Sequence, residues 1–210
     1  MPLYELTTRK TKDTNQDLQL EDFNGNILEA VKKYSKVRPR IKAEDILGPG
    51  GHDFQLPASW SPGLSTIQTV EYPIGKVPES YIDNAKVRLY QAPDGLKLRL
   101  YDVAPLAGQS FRVTFTALHD EASLPESDIE AVANLAASLC CRQLAQRYAG
   151  TSDPTIGADV VNYRSKGDEF ARRAKELRAL FQDALGIKEN DTTAAAMATV
   201  KAPARKRLLN

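Results

Sequence analysis

Lys86-Val87-Arg88-Leu89-Tyr90-Gln91-Ala92-Pro93-Asp94-Gly95-Leu96-Lys97-Leu98-Arg99-Leu100-Tyr101 is the stretch that sets the fold class. Leu96, Leu98 and Leu100 alternate with Lys97, Arg99 and Tyr101, the period of a strand with one dry and one wet face. Ala92-Pro93-Asp94-Gly95 places Pro and Gly where a tight turn uses them, so 86–90 and 96–101 read as a hairpin. Farther along, Phe111, Val113 and Phe115 alternate with Arg112, Thr114 and Thr116. Ser65 to Tyr72 reads as another strand between Gly63 and Pro73, and Arg40 to Leu47 can run extended after Pro39. Gly48-Pro49-Gly50-Gly51 reads as a turn. Together these segments predict a small antiparallel sheet over about 37–119.

Helical periods flank this module on both sides. Phe23, Ile27, Val31 and Tyr34 recur at steps of three and four, with Glu29 four residues before Lys33, while Gly25 weakens the start. After Pro125, Ser127 and Glu130 fit a capping box. Ile129, Val132, Leu135, Ala136, Leu139, Cys140 and Leu144 then cover more than half of a helical circumference, so this helix must pack on several sides. A second long helix is predicted from near Ser165 to Gly186, with Phe170, Ala174, Leu177, Phe181 and Leu185 as its stripe. The polar residues 150–158 would join the two as an antiparallel pair over 127–186. The fold class is therefore α+β: an N-terminal helix, a β module, a long C-terminal helix pair, and a tail. Residues 1–16 read as a polar arm or loose strand, 17–186 as one domain, and 187–210 as a flexible C-terminal tail without a core face.

Composition narrows the function classes. The 210 residues carry a formal net charge of +1, which argues against a protein that coats nucleic acid over its whole surface but leaves room for a local basic patch, since a sum says nothing about distribution. No run approaches the ~20 apolar residues of a membrane span, and the charged first residues hold no apolar run, so no secretory signal is expected. Cys140 and Cys141 are adjacent and point apart on a helix. They are expected to be buried, reduced thiols of an intracellular protein. No Cys or His spacing fits a zinc site, so neither metal nor cofactor is expected.

Catalytic residue types are sparse. His119 beside Asp120 could in principle serve Cys140 or Cys141 as a hydrolase base, but those thiols fall mid-helix on a face read as buried. Gly48-Pro49-Gly50-Gly51 lacks the Lys and Ser/Thr of a phosphate loop. No enzyme is expected. Arg164, Lys166, Arg172, Arg173, Lys175 and Arg178 form a more suggestive basic stripe, interrupted by Asp168, Glu169 and Glu176. It is a candidate assembly or channel surface, or a solvated face. In the tail, Lys201, Arg205, Lys206 and Arg207 precede Leu208 and Leu209, a segment that can order on a partner.

Two stretches carry a family resemblance. They are Trp60-Ser61-Pro62-Gly63-Leu64-Ser65-Thr66-Ile67 through Val70-Glu71-Tyr72-Pro73, and Ile156-Gly157-Ala158-Asp159-Val160-Val161-Asn162-Tyr163-Arg164-Ser165-Lys166 leading into Glu169 to Arg178. With the element order over about 20–186, they resemble the head-to-tail connector or adaptor proteins of the tailed-bacteriophage neck. The resemblance implies a homo-oligomeric ring, commonly of twelve copies, beneath the portal protein. Such a ring extends the DNA channel, contacts passing DNA non-specifically, and carries the next neck or tail protein. It implies a virion component made in the host cytoplasm, with the tail gripping the portal. No individual functional residue transfers, and the β region is larger than in minimal helical adaptors. The alternatives are a tail terminator or tail-completion ring and, from another class, a nucleic-acid-binding regulator using the basic helix and tail.

Overall fold

The computed structural model describes residues 3–150 and 160–187, with side chains for all of these except 150 and 160–165. Among these residues it is an α+β fold of four α-helices and two three-stranded antiparallel sheets.

The first helix corrects the expected arm. Leu3–Thr11 forms α1, with Leu3, Thr7 and Thr11 buried. The Thr7 and Thr11 hydroxyls each donate to the carbonyl four residues back, at 2.9 Å. Their polar atoms are thus satisfied inside the helix, leaving the methyl groups to pack. Lys10 Nζ reaches Glu130 Oε1 at 2.9 Å and ties α1 to the C-terminal pair.

Leu20–Val37 forms α2, burying Phe23, Ile27, Val31 and Tyr34 as their spacing predicts. Gly25 lies exposed on it. The chain leaves α2 before Pro39, where Arg38 N–H closes the last turn on Tyr34 O at 2.9 Å.

The β module contains β1 (Arg40–Leu47), β2 (Asp53–Gln55), β3 (Ile67–Glu71), β4 (Val87–Ala92), β5 (Gly95–Leu100) and β6 (Ser110–Ala117). The hairpin forms as read, with Ala92 opposite Gly95 closing the turn and Gly95 at φ 130°. The module is two sheets instead of the single one expected, ordered β1-β6-β3 and β2-β5-β4. Phe54, Leu98 and Leu100 of one sheet and Phe111, Val113 and Phe115 of the other share one buried cluster. Phe54 and Phe111 meet edge to face at 4.7 Å, a geometry aromatic rings favour.

The long helices are α3 (Glu126–Gly150) and α4 (Val160–Leu185). They run antiparallel: Gly167 approaches Ala145 and Tyr148, whereas Ser138 Oγ donates to Ala174 O at 2.7 Å nearer the other end. Gly186, at φ 69°, terminates α4 in the left-handed conformation that glycine adopts without a Cβ penalty. The expected capping box is absent. Glu130 is taken by Lys10, and Ser127 Oγ donates to Asp128 Oδ1 at 3.0 Å.

The apolar circumference of α3 is used within the chain. Tyr34 and Asn26 of α2, Lys10 and Thr11 of α1, and Ala174 of α4 all reach it. The Tyr34 hydroxyl donates to Asp128 Oδ2 at 2.6 Å, and Arg38 Nη1 donates to the same oxygen at 2.8 Å. The Tyr34 ring also meets His119 at 5.3 Å, and His119 N–H donates to Ser35 Oγ at 2.9 Å. The helical layer and the β module therefore join at one polar hub.

Cys140 and Cys141 are fully buried. Burial pushes the Cys140 thiol up to about 11 and the Cys141 thiol up to about 12. Since the thiolate is the reactive form, labelling of the native protein at pH 8 should run at least ~100-fold slower than labelling of the denatured chain. Fast reaction of either thiol in the folded protein would contradict this burial. The raised values also set a sign. Stability from the protonated thiols is fully present below their unfolded pKa, near ~8.5, and is lost as pH rises through the folded values.

Candidate assembly surface

The basic residues of α4 do not form one stripe. At ~100° per residue, Lys166 and Arg173 fall on one flank of the buried Ala174–Leu177–Phe181 face, and Lys175 and Arg178 on the other. Arg172 lies behind, paired with Glu176 at 3.8 Å. The side chain of Arg164 is outside the described residues.

The first flank is committed to the fold. Arg173 Nη1 donates to Thr11 O at 3.2 Å, Nη2 meets Glu169 Oε1 at 3.3 Å, and the guanidinium lies 5.8 Å from the Phe170 ring centroid. Lys166 Nζ stands 5.3 Å from the Tyr148 ring centroid, and that ring stacks on Phe170 at 5.7 Å. The Tyr148 hydroxyl donates to Asp17 and accepts from Asn15 Nδ2. Burial, and then Asp17, push that hydroxyl up to about 12. These contacts lock α4 and the end of α3 onto the α1–α2 connection. They need Thr11, Asn15 and Asp17, partners more than a hundred residues away in sequence, which local spacing could not reveal.

The second flank is free. Lys175 and Arg178, one turn apart, are exposed and have no acidic partner among the described residues. Exposed cations without a partner cost little in water and remain available to an acidic surface or to phosphates. The tail candidates Lys201, Arg205, Lys206, Arg207, Leu208 and Leu209 lie outside the described residues.

The β module carries its own charge pairs. Arg112 forks onto Asp45 at 2.7 and 3.0 Å and reaches Glu71 at 3.7 Å, and its hydrogen bonds hold the Asp45 carboxyl below its ordinary range. On the other sheet, Arg99 pairs with Asp53 and lies 3.5 Å over the Tyr90 ring. Both are two-oxygen pairs already satisfied within the chain.

His119 and the two cysteines, which a hydrolase would need side by side, are not brought together. His119 Nδ1 lies 3.0 Å from Ser123 O, beside the N-terminal end of α3. Cys141 lies more than three turns farther along that helix, about 20 Å at 1.5 Å per residue. His52 Nδ1 lies 2.8 Å from Leu100 O. Among the described residues, no group of three or more His, Cys, Asp or Glu could hold a metal ion, and no helix is long and apolar enough to cross a membrane. No family model matches the chain, and no curated protein matches its sequence.

Proposed function

We infer that the protein is a structural component of a phage neck, a ring subunit that joins the capsid portal to the tail and extends the DNA channel. Two things support the reading: the resemblance of 60–73 and 156–178 to neck adaptors, and the surface that the second stretch presents. The observation that carries it is the pair Lys175 and Arg178, exposed on α4 and without an acidic partner among the described residues. An exposed cationic flank on α4 is suited to an acidic neighbour in a ring or to passing DNA. The apolar faces of α3 contribute nothing to a ring contact, because α1, α2 and α4 already cover them.

Charge reversal at Lys175→Glu and Arg178→Glu separates assembly from folding. Both side chains are exposed, so the melting temperature should stay within a few degrees of wild type. Ring formation on the portal should be lost. A double variant that completes rings normally would reduce this flank to a solvated face. Arg173 is unsuited to the same test, because its contact with Thr11 O makes its reversal a folding lesion. Salt-sensitive, sequence-specific duplex binding by the isolated protein would favour the regulator alternative.

A further inference from the structure

One edge of the β1-β6-β3 sheet is closed by the chain itself, and the other is open. On the β3 side, Ile82 N–H donates to Val70 O at 2.8 Å and Tyr72 N–H donates to Ser80 O at 2.9 Å, so 80–82 pairs along that edge. A bulge between Ile67 and Thr69 disrupts it further. On the β1 side nothing comparable exists among the described residues. None of the eight residues of β1 is buried, and none is a proline.

The hydrogen-bond parity of β1 follows from its end. Gly48 N–H donates to Gln109 O at 2.8 Å, one position past the Leu47–Ser110 pair. Bonded and non-bonded pairs alternate in an antiparallel ladder, so even-numbered residues of β1 bond to β6. Ile41, Ala43, Asp45 and Leu47 therefore turn their backbone N–H and C=O groups outward. The same four side chains are the exposed ones, with Ile41 at 70% and Leu47 at 66% exposure. Free backbone donors and acceptors beside exposed aliphatic side chains form a template for another strand.

We propose that this edge pairs with β1 of a second copy of the chain, antiparallel about a two-fold axis, continuing the sheet across the dimer. The strand's own sequence selects the partner and the register. A two-fold normal to the sheet keeps each face on its own side, so one residue must meet itself on the axis. Placing Lys42 or Glu44 there sets like charges opposite each other, about 5 Å apart. Placing Ala43 there sets a small neutral residue against itself and brings the ion pair that Lys42 and Glu44 form within each strand, at 2.8 Å, beside its mate with the charges alternating, Lys42 opposite the partner's Glu44 twice. In that register Ile41 lies diagonal to the partner's Leu47, within reach of an aliphatic contact. Ile41, Ala43 and Asp45 then supply three outward pairs, about six hydrogen bonds in all. This contact uses no residue of the α4 flank, so it stands or falls separately from the neck reading.

Solution mass tests it. Wild-type protein should pass from 23.1 kDa to twice that mass as concentration rises into the high micromolar range. Ala43→Pro should hold it at the monomer mass with an unchanged circular dichroism spectrum, because the lost N–H points away from β6. Should that variant fold poorly, Ile41→Lys with Leu47→Lys places charge on the same edge through two exposed side chains, and should also give monomer. Register is read by oxidation. Ala43→Cys should form an intermolecular disulfide across the axis, where Cα atoms stand about 5.5 Å apart. Ile41→Cys should not, since its symmetry mate lies four residues away along the strand. Wild-type protein that stays monomeric throughout, a dimer that survives the lysine pair, or equal crosslinking at Ile41 and Ala43 would each overturn the proposal.

Discussion

Replacing Asp128 by alanine should lower the unfolding free energy by about 3 kcal/mol, the low end for a broken buried ion pair because Arg38 is half-exposed. The loss has two parts. Tyr34, 1% exposed, would keep its hydroxyl without the acceptor that lies at 2.6 Å in the native protein. Arg38 would lose the oxygen at 2.8 Å that anchors the end of α2 to the start of α3. Burial opposes ionisation of Asp128, but the hydrogen bonds from Tyr34, Arg38 and Ser127 outweigh it and hold its carboxyl below the ordinary range. The pH dependence then has a definite sign. A depressed folded pKa contributes stability that is fully present above the unfolded value, near ~3.9, and is lost as pH falls through the folded value. The gap between wild type and variant should be full at pH 7 and narrow below about pH 4. Denaturant titrations at several pH values measure it, and a gap that is small or independent of pH would show that the hub contributes little.

Removing residues 188–210 should abolish portal attachment and leave the fold intact. The cut belongs after Ile187, because Ile187 is half-buried against the cluster that holds Ile27 and Phe181. Beyond it the sequence offers Lys201, Arg205, Lys206 and Arg207 ahead of Leu208 and Leu209, charges and apolar anchors suited to ordering on a partner. The truncated protein should melt within a few degrees of wild type and fail to co-sediment with the portal. Unchanged portal affinity would transfer attachment to the Lys175–Arg178 flank.

What the sequence made legible is what depends on near neighbours. The stripe of α2, the 92–95 turn, the alternation of β5 and β6, and the stop at Gly186 each follow from residues within a few positions of one another. The spacing starts α4 near Ser165, whereas the helix begins at Val160. The misses share a cause as well. α1 looks polar because Thr7 and Thr11 hide their hydroxyls in their own helix, a fact that burial and not composition discloses. β2 is only three residues long and shows no period. Whether six strands make one sheet or two depends on pairings between distant segments. Glu130 fits a cap by spacing but meets Lys10, 120 residues away. The division of the basic residues likewise rests on distant partners. Its six residues share a helix, but Thr11 and the Tyr148 ring draw Arg173 and Lys166 into the fold and leave Lys175 and Arg178 to the surface. The open β1 edge was legible as an extended segment, whereas its openness needed the pairing of β6.

Imaging of purified protein mixed with portal complexes would show whether this chain acts as the ring subunit of a neck proposed above. The expected result is a closed ring of this protein seated coaxially on the portal, around a continuous channel, with only monomers or small oligomers when the portal is left out. Portals that remain bare at saturating protein concentration, with no ring in any view, would contradict it.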